Sequence, residues 1–156
     1  MTDFSHLDDD GSVRMVDVGS KESSQRKAVA VARVAMTDTT RNALLGGSLP
    51  KGDALATVRI AAIQGAKRTS DLIPLCHPLA LDAVDVAVEP TDDGVQIRVT
   101  ARIHARTGVE MEAMTGAAVG ALTLYDMIKG VDRSATVNGV MLIHKSGGKS
   151  GEWNRG

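Results

Sequence analysis

The sequence predicts an α+β domain in which helices cover one face of an antiparallel sheet. Two features predict it, an alternating hairpin in mid-chain and a long amphipathic helix after it. Leu81–Glu89 and Val95–His104 alternate apolar and polar residues, and Asp92-Asp93-Gly94 supplies the turn. The helix spans Gly108–Lys129, with apolar residues at helical spacing. An antiparallel sheet needs only one covered face, so hairpins together with helices favour this class.

The other elements are predicted in chain order. Alternating or β-branched residues predict strands at Val13–Val18, Lys27–Met36 and Thr136–His144. A short helix begins at Asp38 and stops at Gly46-Gly47. A longer helix covers Ala54–Lys67, with Asp53 as its N-cap.

The ends and the core face of the main helix are also predicted. Thr107 and Glu110 have the spacing of a capping box, and Gly130 stands where a C′ glycine belongs. The expected apolar stripe consists of Met111, Met114, Ala118, Ala121, Leu122, Tyr125 and Ile128.

Composition limits the function classes. The chain has 156 residues, a net charge of -1 and 2% aromatic residues. We expect one domain over 1–156, with flexible segments at 1–12 and 146–156. The charge gives no global field for nucleic acid, and no run of about 20 apolar residues could span a membrane. Cys76 is the only cysteine, which excludes an internal disulfide and a Cys-rich zinc site. We therefore predict a cytoplasmic protein that binds neither nucleic acid nor membrane.

Asp126 and Lys129 are the first candidates for chemistry. They lie three residues apart on the last turn of the main helix, hence on one face. A surface ion pair is the simpler interpretation. However, a carboxylate is disfavoured at the negative end of a helix dipole, and a carboxylate beside an amine is a reasonable acid–base pair.

Lys51 and Glu112 are further candidates. Lys51 precedes a predicted helix N-terminus, where a cation is unfavourable and a bound phosphate would relieve the conflict; a solvated lysine is the alternative. Glu112 lies on the same stripe as Asp126 but about 21 Å away along the axis. If both are functional, a second subunit has to bring the two helix ends together.

The segment around His77 and the tail stay open on residues alone. His77 lies between Pro74 and Pro78 and could equally be a satisfied core histidine. Cys76 fits a small buried hydrophobe better than a nucleophile. The Gly/Ser/Lys tail is either disordered or a basic flap that closes on phosphates.

Three motifs carry a resemblance to a known family: LIPLCHPL, TGVEMEA and KSGGKSG. With the surrounding KGDALATVRIAAIQGAKRTSD and AMTGAAVGALTLYDMIKGVDR, they cover nearly the whole chain from Met15 onward. Together they resemble the cyclic pyranopterin monophosphate synthase family, also called molybdenum cofactor biosynthesis protein C.

The resemblance implies a ferredoxin-like subunit in a homo-hexamer, a trimer of dimers with active sites between subunits. It implies a lyase that converts 3′,8-cyclo-7,8-dihydroguanosine 5′-triphosphate into cyclic pyranopterin monophosphate with loss of pyrophosphate. No protein-bound metal or other cofactor is expected. A non-catalytic ferredoxin-like ligand-binding regulatory domain is the alternative function.

The resemblance also assigns residue roles. Asp126, Lys129 and Lys51 correspond to the catalytic positions. The substrate-binding positions are Leu75, Cys76, His77, Met111, Glu112, Arg26 and Lys145. The chain departs from the family at Ile128 and Gly130, where Cys and Ala are common, and Gly130 loosens the helix end that carries the pair.

Overall fold

A computed structural model describes residues 6–156, which form one five-stranded antiparallel sheet with helices packed on it. The elements are β1 (Ser24–Ala35), α1 (Asp38–Leu45), α2 (Ala54–Lys67), α3 (Thr69–Leu72), β2 (Ala83–Thr91), β3 (Gly94–Ala105), α4 (Glu110–Ile128), β4 (Thr136–Ser146) and β5 (Trp153–Asn154). The strand order in the sheet is β2-β3-β1-β4-β5.

The connections are those of a ferredoxin-like fold. The chain passes through α1, α2 and α3 between β1 and β2, and α4 joins β3 to β4. Helix α4 packs on β1, β3 and β4, while α2 packs beside it and against β2. The predicted α+β class is therefore confirmed. Strand β5 and the short helix α3 were not predicted.

Small residues build the core between α4 and the sheet. The sheet contributes Ala28, Ala30, Ala32, Val34, Val95, Ile97, Val99, Ala101 and Ile103, and α4 contributes Ala113, Ala117, Ala121, Leu124 and Ile128. Two glycines let the helices approach closely: a Cβ on Gly65 would lie 2.8 Å from Val119 Cβ, and one on Gly116 would lie 2.9 Å from the Ala62 carbonyl oxygen.

This close packing corrects the predicted stripe of α4. Ala121 and Ile128 are buried, but Met111 is 37% and Leu122 64% exposed. The stripe was predicted from apolar residues at helical spacing, whereas the narrow space between the helices and the sheet favours alanines and glycines. Met111 and Leu122 are consequently turned away from the core, whereas Leu124 and Ile128 are buried in it.

Most predicted boundaries are confirmed, including the β2–β3 hairpin and the Asp53 cap, whose side chain accepts from Ala56 N at 2.9 Å. The prediction of a strand at Val13–Val18 is wrong. Among the described residues only Val13 of this segment forms a β-bridge, to Leu7, and the Val16 carbonyl accepts a hydrogen bond from the His77 side chain. The flexibility of 1–12 and 146–156 stays a prediction, and residues 1–5 lie outside the described residues.

The prediction of a capping box at the start of α4 is also wrong. The helix begins at Glu110 with Val109 as its N-cap, and none of the described side chains makes a cap hydrogen bond there. The Glu110 carboxylate instead folds back over Gly108, where any Cβ would overlap it. Gly130 does follow the helix end, but its φ is not positive, so it is not a left-handed cap.

Candidate active site

Five of the predicted site residues line one cavity of about 270 Å³ beside the first turn of α4. They are Leu75, Cys76, His77, Met111 and Glu112. Residues that are far apart in sequence meet here because the loop between α3 and β2 crosses the N-terminal end of α4. Pro74 and Pro78 restrict that loop to extended or turn conformations, which keeps its side chains available to the cavity.

His77 ties a third segment to the cavity. Its Nε2 lies 2.7 Å from the Val16 carbonyl oxygen. Because a carbonyl oxygen only accepts, Nε2 is the donor, and Nδ1 is left as a hydrogen-bond acceptor. This bond holds the Val16–Lys21 segment as a wall of the cavity, to which Val16, Val18 and Lys21 contribute.

Glu112 is an unusual carboxyl group because it is only 4% exposed. Burial raises its pKa to about 7, the hydrogen bond to its backbone N–H opposes that rise, and the charge of Glu110 adds to it. At neutral pH the cavity therefore holds a carboxyl group that can either donate or accept a proton. Burial also raises the pKa of the Cys76 thiol, and the Glu112 charge raises it further.

A second cluster of charged groups lies at the other end of α4. Lys129 Nζ is 2.8 Å from Asp126 Oδ1, and Lys51 Nζ is 3.3 Å from Asp126 Oδ2. The hydrogen bond from Lys129, then that from Lys51, lowers the pKa of Asp126. In return, the hydrogen bond to Asp126 raises the pKa of Lys129. The resting cluster is therefore one carboxylate between two ammonium groups.

The position of Lys51 differs from the sequence interpretation. It does precede α2, but its Nζ donates to the Asp126 carbonyl oxygen at 2.6 Å, among the last free carbonyls of α4. A cation at a helix C-terminus is electrostatically favourable. The expected conflict at the α2 N-terminus is thus relieved within the chain, without a phosphate.

The cavity and the charged cluster are separate in one chain. Glu112 and Asp126 are fourteen residues apart on α4, which corresponds to about 21 Å along the axis.

Arg26 and Lys145 form a third location, between the sheet and the C-terminal segment. Both lie on the sheet face that carries α4, since Arg26 pairs with Ile103 and Lys145 with Ala28. Arg26 Nε is buried and, among the described residues, has no hydrogen-bond partner. Lys145 Nζ contacts Ser150 Oγ of the tail. Neither residue lines the cavity.

The sequence interpretation missed two contributors to these sites. Lys21 lines the cavity, and nothing in its local sequence distinguishes it from a surface lysine. Asp132 is 5% exposed and bonded to the start of α1. The spacing of Asp132 and Ser134 is typical of an Asx turn, so it could have predicted the hydrogen bonds between these two residues. It could not have predicted the bond to α1. Within the described residues, no group of three or more His, Cys, Asp or Glu side chains could hold a metal ion, and no helix is long and apolar enough to cross a membrane.

Comparisons with known proteins identify the family. The MoaC family model matches residues 15–148. The cyclic pyranopterin monophosphate synthase of Brucella ovis is 52% identical over 152 residues, covering 96% of this chain and 92% of the relative. The synthase of Roseiflexus castenholzii is 53% identical over 154 residues, covering 97% and 98%. That of Novosphingobium aromaticivorans is 49% identical over 153 residues, covering 98% of each chain. This chain belongs to the MoaC family.

Proposed function

We propose that this protein is a lyase of molybdenum cofactor biosynthesis, a cyclic pyranopterin monophosphate synthase. Its substrate is 3′,8-cyclo-7,8-dihydroguanosine 5′-triphosphate, and its products are cyclic pyranopterin monophosphate and pyrophosphate. The supporting observation is the similarity to named synthases at about half identity over nearly the whole chain. The regulatory-domain alternative has no comparable support.

The cavity suits the guanine-derived ring of this substrate. Glu112 supplies a carboxyl group with a pKa of about 7. His77 supplies Nδ1, since Nε2 is used by Val16. These two groups hold ring N–H and carbonyl groups by hydrogen bonds, while Leu75, Cys76 and Met111 contribute apolar contact.

Asp126, Lys129 and Lys51 form the acid–base cluster of the proposal. At neutral pH Asp126 is ionised and can accept a proton, and Lys129 is protonated and can donate one. While they are paired, the lowered pKa of Asp126 makes it a weaker base and the raised pKa of Lys129 makes it a weaker acid. Because each stabilises the charge of the other, proton transfer requires a substrate that separates the pair. Lys51 keeps Asp126 ionised when Lys129 turns toward the substrate.

The triphosphate is bound by cations in this proposal. Lys51, Arg26 and Lys145 neutralise its charge and stabilise pyrophosphate as it leaves. Arg26 Nε has no hydrogen-bond partner within residues 6–156, which supports a role in which a ligand completes its hydrogen bonds.

Assembly follows from the distance between the two ends of α4. One small substrate cannot contact Glu112 and Asp126 of the same chain, so the proposed active site combines the cavity of one subunit with the charged cluster of another. A homo-hexamer built as a trimer of dimers supplies such sites. We further propose that the protein is cytoplasmic and has no protein-bound cofactor.

Turnover of the purified protein tests the function. Incubation with the cyclised guanosine triphosphate should release pyrophosphate and the pterin product in equal amounts. A folded Asp126→Asn variant should bind the substrate and release neither product. Tight binding to the wild-type protein without either product would instead support the regulatory domain.

A further inference from the structure

Asp132 is a buried carboxylate that joins two parts of the fold. Its Oδ2 accepts from Thr37 N at 2.9 Å, and its Oδ1 accepts from Ser134 Oγ at 2.6 Å and Ser134 N at 3.1 Å. These hydrogen bonds hold the pKa of Asp132 well below its usual range, with the Ser134 hydroxyl contributing most and the Thr37 N–H next. Asp132 therefore stays ionised at working pH.

The two parts joined in this way carry the charged cluster. Thr37 is the N-cap of α1, and α1 leads into the loop that contains Lys51. Asp132 follows the end of α4, three residues after Lys129. The Thr37 bond thus fixes the end of α4 against the unit that supplies Lys51.

The turn between Lys129 and Asp132 needs such an anchor. Gly130 does not have a positive φ, and no described atom lies within 4 Å of the place where a Cβ would be, so packing does not hold it in place. Val131 is 53% exposed and contributes little packing. Backbone bonds from Val131 N and Asp132 N to the Ile128 carbonyl oxygen, both 2.9 Å, form the turn. Tyr125 Oη adds a longer bond of 3.4 Å to the Arg133 carbonyl oxygen.

We propose that Asp132 is a positioning residue: by fixing the turn after α4 to the N-cap of α1, it keeps Lys129 in register with Asp126 and Lys51. The side chain of Lys129 is 50% exposed and that of Asp126 is 57% exposed, so packing does not immobilise them. Their 2.8 Å contact depends on where the backbone of Lys129 lies. The catalytic meaning of this inference rests on the proposed function, but the geometric role does not.

Asp132→Asn separates the local contacts of this side chain with Ser134 from its long-range hydrogen bond with Thr37. An asparagine whose oxygen faces Ser134 retains the local turn and turns its NH₂ group toward the Thr37 N–H, so the bond that this N–H donates is lost. Asp85→Asn is the matched control, since Asp85 pairs with Arg102 on the exposed sheet face away from α4. Val131→Gly loosens the same turn without altering a buried group, and so remains informative if Asp132→Asn folds poorly.

The first readout is independent of turnover. Competitive labelling of lysines with acetic anhydride between pH 9 and 11.5, followed by peptide mass spectrometry, measures the pKa of Lys129. The titratable groups that act on Lys129 are Asp126 and Tyr125 on α4, and Lys51 contacts the other carboxylate oxygen of Asp126. In Asp132→Asn and Val131→Gly the pKa of Lys129 should fall toward that of a free lysine, while Asp85→Asn should match the wild type.

The second readout is kinetic and includes a rescue. Asp132→Asn should lower kcat by about 10-fold or more with little change in KM, at temperatures where circular dichroism matches the wild type. Adding Gly130→Ala, which stiffens the turn, should restore part of kcat and of the Lys129 shift. An unchanged Lys129 pKa, or a rate loss equal to the unfolded fraction, would overturn the inference. If the wild-type protein were inactive but the labelling shift appeared, the proposed function would fail and the positioning role would stand.

Discussion

The ammonium group of Lys51 lies 2.6 Å from the backbone carbonyl oxygen of Asp126 and 3.3 Å from its side-chain Oδ2. One lysine therefore caps the C-terminus of α4 and holds the carboxylate that the same turn carries. This arrangement couples the helix end to the proposed chemistry, because moving Lys51 changes both the backbone partner and the charge next to Asp126.

Lys51→Met should lower kcat by about 100-fold, the lower range for loss of an acid–base group. The pKa of Asp126 should rise, since the Lys51 hydrogen bond is one of its lowering causes. The assay is pyrophosphate release over a pH series. Lys67→Met, which removes an exposed lysine at the end of α2, is the control and should keep the wild-type rate. A Lys51→Met variant with near-normal kcat would show that the residue is only a helix cap.

Glu112→Gln should stabilise the fold at high pH. The pKa of Glu112 is about 7 when folded against an ordinary 4.5, so between these values the unfolded chain is ionised while the folded one is protonated. Stability is therefore lost as pH rises from 4.5 toward 7, by at most about 3 kcal/mol, and the loss persists above 7.

Urea unfolding from pH 4.5 to 8.5 measures this effect. The advantage of Glu112→Gln over the wild type should be near zero at the acid end and largest above pH 7. Glu22→Gln, at an exposed position, should parallel the wild type throughout. An advantage that shrinks as pH rises would contradict a raised pKa.

The fold was largely predictable because its signals are local. The Asp53 cap, the β2–β3 hairpin and the end of β1 each follow from residues within a few positions of one another. The capping box failed for a physical reason: Glu110 satisfied the spacing rule, but Gly108 let its carboxylate fold back over the backbone. The stripe on α4 failed because the depth of the core, which decides between alanine and methionine, is a property of the packed fold.

The site was predictable only in pieces. Physical reasoning selected Asp126 and Lys129, and the resemblance added Leu75 and Met111. No sequence rule places Lys51 at the C-terminus of α4, or Asp132 against Thr37, because these contacts join residues 75 and 95 positions apart. Such contacts depend on how β1, α1 and α4 pack, which the linear pattern does not encode.

Cys76 should react slowly with iodoacetamide. Burial raises the pKa of its thiol, and the Glu112 charge raises it further, so the reactive thiolate is scarce at neutral pH. The reaction rate should increase with pH, and the pH of half-maximal rate should lie above that of a free thiol. Glu112→Gln should lower this midpoint pH. Cys76 is the only cysteine, so loss of free thiol reports on it alone. The urea-unfolded protein is the control, and a folded-state midpoint equal to its value would refute the prediction.

Gly148→Ala should weaken substrate binding through Arg26. A Cβ at Gly148 would overlap Arg26 Nη1, and the φ of +73° adds strain. We expect KM to rise several-fold while kcat changes little, because Arg26 is proposed to bind phosphate. Gly151→Ala separates the two causes, since the φ of Gly151 is +62° but no described atom lies within 4 Å of where its Cβ would be. Equal effects of both substitutions would assign the change to backbone strain in the tail.

Two inactive variants should complement each other if active sites lie between subunits. Glu112→Gln removes a group from the cavity, and Asp126→Asn removes one from the charged cluster about 21 Å away along α4. In randomly mixed oligomers about a quarter of the sites combine an intact Glu112 from one subunit with an intact Asp126 from another. Refolding the two variants together at equal amounts should therefore recover about a quarter of the wild-type rate, whereas each refolded alone stays inactive.

A mixture containing Glu112→Gln and a doubly substituted chain, Glu112→Gln with Asp126→Asn, is the matched control and should recover nothing. Sites contained within one chain would leave the first mixture as inactive as this control, because no subunit in it carries both intact groups.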